Sequence, residues 1–231
     1  MQPDFFTLLC QGISDPRMEA YRHRGEKRYS QVQDLEVCAD YLWNIALCES
    51  LYPALHMLEI TLRNALHNTI SSIFGTQWFD HILLGEHHKR IDKAKERLLE
   101  HQKELTPGRI VAELSLGFWV GLFDSRYEKP RLLWPMLFRD PRFFAYLPGP
   151  QRKRQTLSRV FNKILELRNR VFHHEPVYYW RDIAIHHQNI LEFINFINPS
   201  TLEVIKTMDR FPKTYQCGAV ECKARLATFM Q

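Results

Sequence analysis

Glycine is scarce in this chain, nine residues in 231. Alternating β-branched residues are scarce too, so strands joined by tight turns are not the expectation. Cysteine excludes further classes. The five stand at Cys10, Cys38, Cys48, Cys217 and Cys222, an odd number with no C-x-x-C pair. That pattern suggests neither a disulfide framework nor a zinc ribbon, and reduced thiols are expected. Long apolar runs are missing as well. The longest, "IVAELSLGFWVGLF" at residues 110–123, carries Glu113 and falls well short of the ~18 residues a membrane span needs. After Met1, "QPDFFTLLCQG" has no basic flank and too short an apolar stretch for a secretory signal. A cytoplasmic protein with no membrane partner is expected.

What is present is ordinary for a globular protein with a real core: 45% hydrophobic and 25% charged residues. The formal charge of +5 permits an anionic partner such as nucleic acid without requiring one. Apolar residues recur at spacings of three and four, which argues for helices throughout. "DPRMEAYR" from Asp15 is a helix start, with an acidic cap and a proline behind it. The helical pattern runs from Gln31 to about Ile73, and Pro53 is expected to divide it or to open its second half. "GEHHKRIDKAKERLLEHQKE" is a charged helix with one seam through Ile91, Leu98 and Leu105. Another starts at Thr106-Pro107 and is expected to end near Asp124. Residues 125–150, rich in proline and aromatics, are read as a loop-rich, mobile connector. Further helices are expected over Gln151 to Phe172, Asp182 to Ile197 and Pro199 to Met208, with residues 212–231 peripheral. The expected fold is all-α and a single domain, with its core over residues 14–211.

The helix over 151–172 carries the sequence's sharpest signal. At about 100° per residue, Leu157, Val160, Phe161, Ile164, Val171 and Phe172 share one face. Arg152, Arg159, Lys163 and Arg170 form a basic stripe opposite. Arg168 falls among the apolar residues, between Ile164 and Phe172. A guanidinium keeps its charge, so it must be met there by an acid, a carbonyl, a partner subunit or a bound phosphate. On a rigid helix His173 would point roughly 140° away from Arg168. Pro176 disfavours helix at Glu175, so the helix should end by about residue 174, freeing His173 or His174 to turn back. An imidazole beside a guanidinium can exchange a proton near neutral pH while the arginine holds a phosphate.

Arg168-Asn169-x-x-x-His173 resembles the R-x4-6-H motif of the HEPN superfamily. "LRNRVFHHEPVYYW", "LEITLRNALHNTI" and "SDPRMEAYR" are similar to its Abi-like, abortive-infection branch. The resemblance implies a HEPN-like helical bundle with additional helices, and a metal-independent endoribonuclease of phage defence. It implies Arg168 and His173 as the catalytic pair, with Asn169 in support, a homodimer, and an antitoxin or regulatory RNA as a further partner. His174 also satisfies the spacing, although the four-residue gap favours His173. RNA carries its own nucleophile, the 2′-OH, so no metal or other cofactor is called for. Arg152, Arg159, Lys163 and Arg170 are candidates to track the RNA backbone, and Tyr178 and Tyr179, with Trp180, to stack on bases. A solvated basic face and packing of the next helix explain the same residues equally.

Rival readings remain. His173, His174, His186 and His187, with Glu175 and Asp182, invite a metal, but adjacent helical histidines diverge and no H-E-x-x-H occurs. In "LEITLRNALH", Arg63 and His67 could form a second active pair, but with Glu59 they share a helix face, and a salt-bridge ladder is the favoured reading. Fold alone does not decide between a nuclease and a non-catalytic RNA- or antitoxin-binding module.

Overall fold

The computed structural model describes residues 5–22, 34–128 and 132–228. Among them are twelve α-helices and no strand, so the fold is all-α. Their contacts gather into two compact units, one of residues 1–53, 167–188 and 208–231, the other of residues 54–166 and 189–207. No described helix is long and apolar enough to cross a membrane.

The first unit is built on α1 (Phe5–Ile13), α2 (Asp15–Arg22) and the start of α3 (Asp34–Phe74). Phe6, Cys10, Met18, Tyr21, Val37 and Cys38 form its core, with Tyr178 and Leu226 packed against them. Late in the chain, α11 (Phe211–Cys217) and α12 (Val220–Ala227) complete it. No residue of α12 is buried, and Lys223 ties that helix to Glu36 at 2.8 Å.

Pro53 does not divide α3, which is continuous over 41 residues. The reason lies in the row Leu47, Leu51, Ala54, Leu55, Leu58, Leu62 and Leu66, every member at most 1% exposed. Proline removes one helical hydrogen bond. That row recurs at three- and four-residue steps on both sides of Pro53, and its burial outweighs the lost bond.

The second unit packs α4 (Glu86–Glu100), α5 (Pro107–Ala112), α6 (Leu116–Gly121), α7 (Met136–Arg139) and the start of α8 (Arg154–Phe172). The end of α9 (Ile183–Ile197) and all of α10 (Pro199–Lys206) join them. The expected helix over 107–124 is two helices, because Glu59 accepts the Leu116 N–H at 2.8 Å and starts α6 afresh. The seam of α4 ends at Leu98, leaving Leu105 exposed.

The described residues of 125–150 are loop-rich with short helical turns, as expected, but they pack into the core and are not a loose connector. Tyr127, Trp134, Leu137, Phe143 and Phe144 from this stretch are all buried. Trp134 donates its indole N–H to the Leu122 carbonyl at 2.9 Å and tilts against Phe123. Phe123 in turn stacks on Phe161 at 5.0 Å, and Phe161 meets Phe193 at 4.9 Å. The prolines of this stretch break helices without preventing burial, because its rings supply much of the unit's core.

Candidate active site at the end of α8

The buried row of α8 is Leu157, Phe161, Ile164, Leu167 and Val171, steps of four, three, three and four. Arg168 flanks this row and is only half-buried, and Phe172 is 39% exposed. The expectation of a charge seated amid the apolar face is corrected accordingly. Leu167, which the sequence reading left off that face, takes its centre. The guanidinium lies over the Phe172 ring, 4.3 Å from its centroid, a cation–π contact at the edge of the face. The arginine that is buried in earnest is Arg154, held by Glu128 at 2.8 Å and by the Phe123 carbonyl at 2.7 Å.

Helix α8 ends as Pro176 requires, and the way it ends positions the histidines. The Glu175 N–H reaches back to the Arg170 carbonyl at 2.8 Å, and the His174 N–H to Val171 at 3.3 Å. This pair of bonds is the Schellman closure, in which one residue turns left-handed and glycine is the usual occupant. Here that residue is His174, at φ +59°. Two groups hold the turn. Arg17 of α2 donates to the His174 carbonyl at 3.1 Å. Asn44 of α3, 3% exposed, accepts the N–H groups of Val177 and Tyr178 at 2.7 and 3.2 Å.

Asn169, His173 and His174 are all exposed. Beside them, within the first unit, lies a cavity of ≈ 780 Å³. His174 and Phe172 line it, together with Arg17, Tyr41, Tyr52 and Arg210, whereas His173 is not among its lining residues. Burial pushes the thiol of Cys48, in the same wall, up to about 11. Arg210 is paired with Glu49 at 2.8 Å.

No family model, curated protein or solved structure matches the chain. The resemblance therefore rests on the residues that carry it, and function has to be argued from this site.

The other candidate residues fall differently. Arg152 precedes α8 and is not part of a stripe on it; it donates to the Phe138 and Phe143 carbonyls and rests over Phe138. Arg159 is exposed, and Lys163 pairs with Glu166 at 3.1 Å. Arg170 is engaged at the helix end, with Glu175 at 3.2 Å, the Tyr179 hydroxyl at 3.3 Å and the Trp180 ring. Tyr178 stacks on Tyr21 at 5.2 Å and 13°, so that ring is occupied by packing. His186 and His187 each have their own carboxylate, Asp182 and Asp209, both at 3.1 Å. Among the described residues no three His, Cys, Asp or Glu side chains converge as metal ligands would. The salt-bridge ladder expected in "LEITLRNALH" is replaced by other bonds. Glu59 caps α6, His67 accepts the Trp78 indole N–H at 3.1 Å, and Arg63 leans on Asn64.

Arg17, Asn44 and the tyrosines of the cavity escaped the sequence reading. Asn44 left a trace, one amide amid the apolar "LWNIALC" of α3. Arg17 left none beyond its place in the stretch "SDPRMEAYR".

Proposed function

We propose that this chain is a metal-independent endoribonuclease of the abortive-infection type, acting in the cytoplasm on RNA. The observation that carries the reading is the exposed imidazole of His174, set by a left-handed turn on the wall of a cavity one turn beyond Arg168 and Asn169. A histidine in a position that favours glycine is backbone strain beside reactive side chains, a recurrent mark of functional sites.

The chemistry needs few groups. The imidazole takes the proton of the 2′-OH, and the 2′-oxygen forms a bond to the adjacent phosphorus. The bond from phosphorus to the 5′-oxygen breaks, that oxygen takes a proton from water, and the imidazolium returns its own proton to the hydroxide left behind. A 2′,3′-cyclic phosphate remains. Arg168 offsets the charge gathering on the phosphate oxygens, and Asn169 orients the strand. Its place on the cavity wall supports His174 as the imidazole, one residue past the gap favoured by spacing.

The test is total RNA incubated with purified protein in EDTA, with oligomeric state measured in the same samples. The reading expects cutting by wild type, and its loss in Arg168→Ala and in His174→Ala. Tight binding without cutting under any condition would make the chain an RNA- or antitoxin-binding module instead. A dimer that shares one cleft is the assembly the reading expects.

A further inference from the structure

We infer that the cavity at the α8 end is the seat of one unpaired nucleotide, with its base against Tyr52 and Phe172 and its phosphate on Arg17. The choice of RNA as ligand rests on the ribonuclease reading; the shape and chemistry of the seat do not. At ≈ 780 Å³ the cavity lies within the range of about 300–1,000 Å³ typical of ligand sites. Four of its thirteen lining residues, Tyr21, Tyr41, Tyr52 and Phe172, carry aromatic rings. Tyr52 and Phe172 are 49% and 39% exposed, and their rings lie 5.7 Å apart at 33°. Exposed rings of this kind are platforms for the face of a base, and Tyr52 is the more open of the two, because the Arg168 guanidinium already covers one face of Phe172.

The rim supplies the other half of a nucleotide. Arg17 spends one N–H on the His174 carbonyl, which leaves four of the guanidinium's five donors. Among the described residues no carboxylate pairs with it, whereas Arg210 is already held by Glu49. Arg17 is therefore the cavity's available cation, one residue contact away from the His174 imidazole. Bases of a duplex are buried in their stack and cannot enter such a pocket. A single strand or a loop can splay one out. The seat thus selects unpaired RNA.

The experiment uses 2′-O-methyl oligonucleotides, which lack the nucleophile, so binding is read without cutting. The full chain is titrated with a labelled hexamer, single-stranded and annealed to its complement. The single strand should bind at least tenfold tighter than the duplex. Tyr52→Ala should weaken it about tenfold with an unchanged melting temperature, because a stacked base is worth roughly 5- to 150-fold in affinity. Arg17→Ala should weaken it similarly, with Arg17→Lys restoring part of the loss. Equal affinity for single strand and duplex, or wild-type affinity in both Tyr52→Ala and Arg17→Ala, overturns the inference even if the protein cuts RNA. Cavity-dependent binding by a protein that cuts nothing upholds the inference and removes the nuclease.

Discussion

Replacing His174 by glycine separates the backbone of the site from its chemistry. At φ +59° an L-residue costs about 1–2 kcal/mol relative to right-handed conformations, and glycine avoids that cost. Glycine also loses more freedom on folding, by about 0.5–1 kcal/mol. The difference leaves His174→Gly between neutral and about 1.5 kcal/mol more stable than wild type. His174→Ala keeps the left-handed strain and loses the same imidazole, so it should lie about 1 kcal/mol below the glycine variant. For a chain of this length that gap corresponds to roughly 2–4 °C in melting temperature. The bonds that hold the turn, from the Glu175 N–H to the Arg170 carbonyl and from the Arg17 guanidinium to the His174 carbonyl, use no side-chain atom of residue 174 and survive both changes. Thermal melts and RNA cleavage on wild type, His174→Gly and His174→Ala provide the comparison. Both variants should lose cutting, with the glycine variant at least as stable as wild type. A glycine variant that melts below the alanine variant would show that residue 174 does not turn left-handed. A glycine variant that cuts normally would remove His174 from the chemistry and leave His173.

Three further outcomes follow from the packing. Asn44→Ala leaves the Val177 and Tyr178 N–H groups without their acceptor, at about 1–3 kcal/mol each; urea unfolding should register a loss of several kcal/mol, and an unchanged midpoint would mean water satisfies both. Gly121→Ala drives a methyl into the ring of His87, which is buried between Phe118 and Tyr127; a loss of about 1–3 kcal/mol is expected, and His87→Ala in the same chain should restore part of it. Burial, with Glu36 nearby, raises the Asp40 carboxyl from 3.8 to about 6, so the folded state bears the cost of its charge above that pH. Asp40→Asn should then stabilise at pH 7.5 by on the order of 1 kcal/mol, discounted for partial exposure, and not at pH 4; equal effects at both pH values would refute this.

How much of this was legible in the sequence depends on how local the cause was. The starts of α2 and α10 follow from Asp15-Pro16 and Asn198-Pro199, and the end of α8 from Pro176, each a property of neighbouring residues. Pro53 misled because the burial that overrides it belongs to a row reaching from Leu47 to Leu66. The stretch 125–150 is loop-rich with short turns, as its prolines indicate; what composition could not show is that its rings are buried. The depth of Arg168 was misjudged for a smaller reason. Leu167 was left off the apolar face, which moved its centre by one residue step. A step of about 100° is enough to carry a side chain from the centre of a face to its edge.

The choice between His173 and His174 shows where a periodicity argument has to stop. Angles along a helix rank side chains only as far as the last helical residue, here Phe172. Beyond it, direction is set by the closing bonds and by whatever fixes the next few residues. Those fixing groups are Arg17, 157 residues from His174, and Asn44, 133 residues from Val177. Neither carries a mark that ties it to the "HH" doublet. What the sequence does expose is the demand. An amide sits on an apolar stretch of α3, and an imidazole stands where glycine is favoured. Each is a local disadvantage that only a distant partner can offset. A polar residue out of place therefore tells that a partner exists without telling which, and here both partners border one cavity. If that convergence is functional, losing either partner should disturb RNA binding at the seat through the same turn. Asn44→Ala and Arg17→Ala would then be less than additive in oligonucleotide affinity, whereas two independent structural roles would give additive losses.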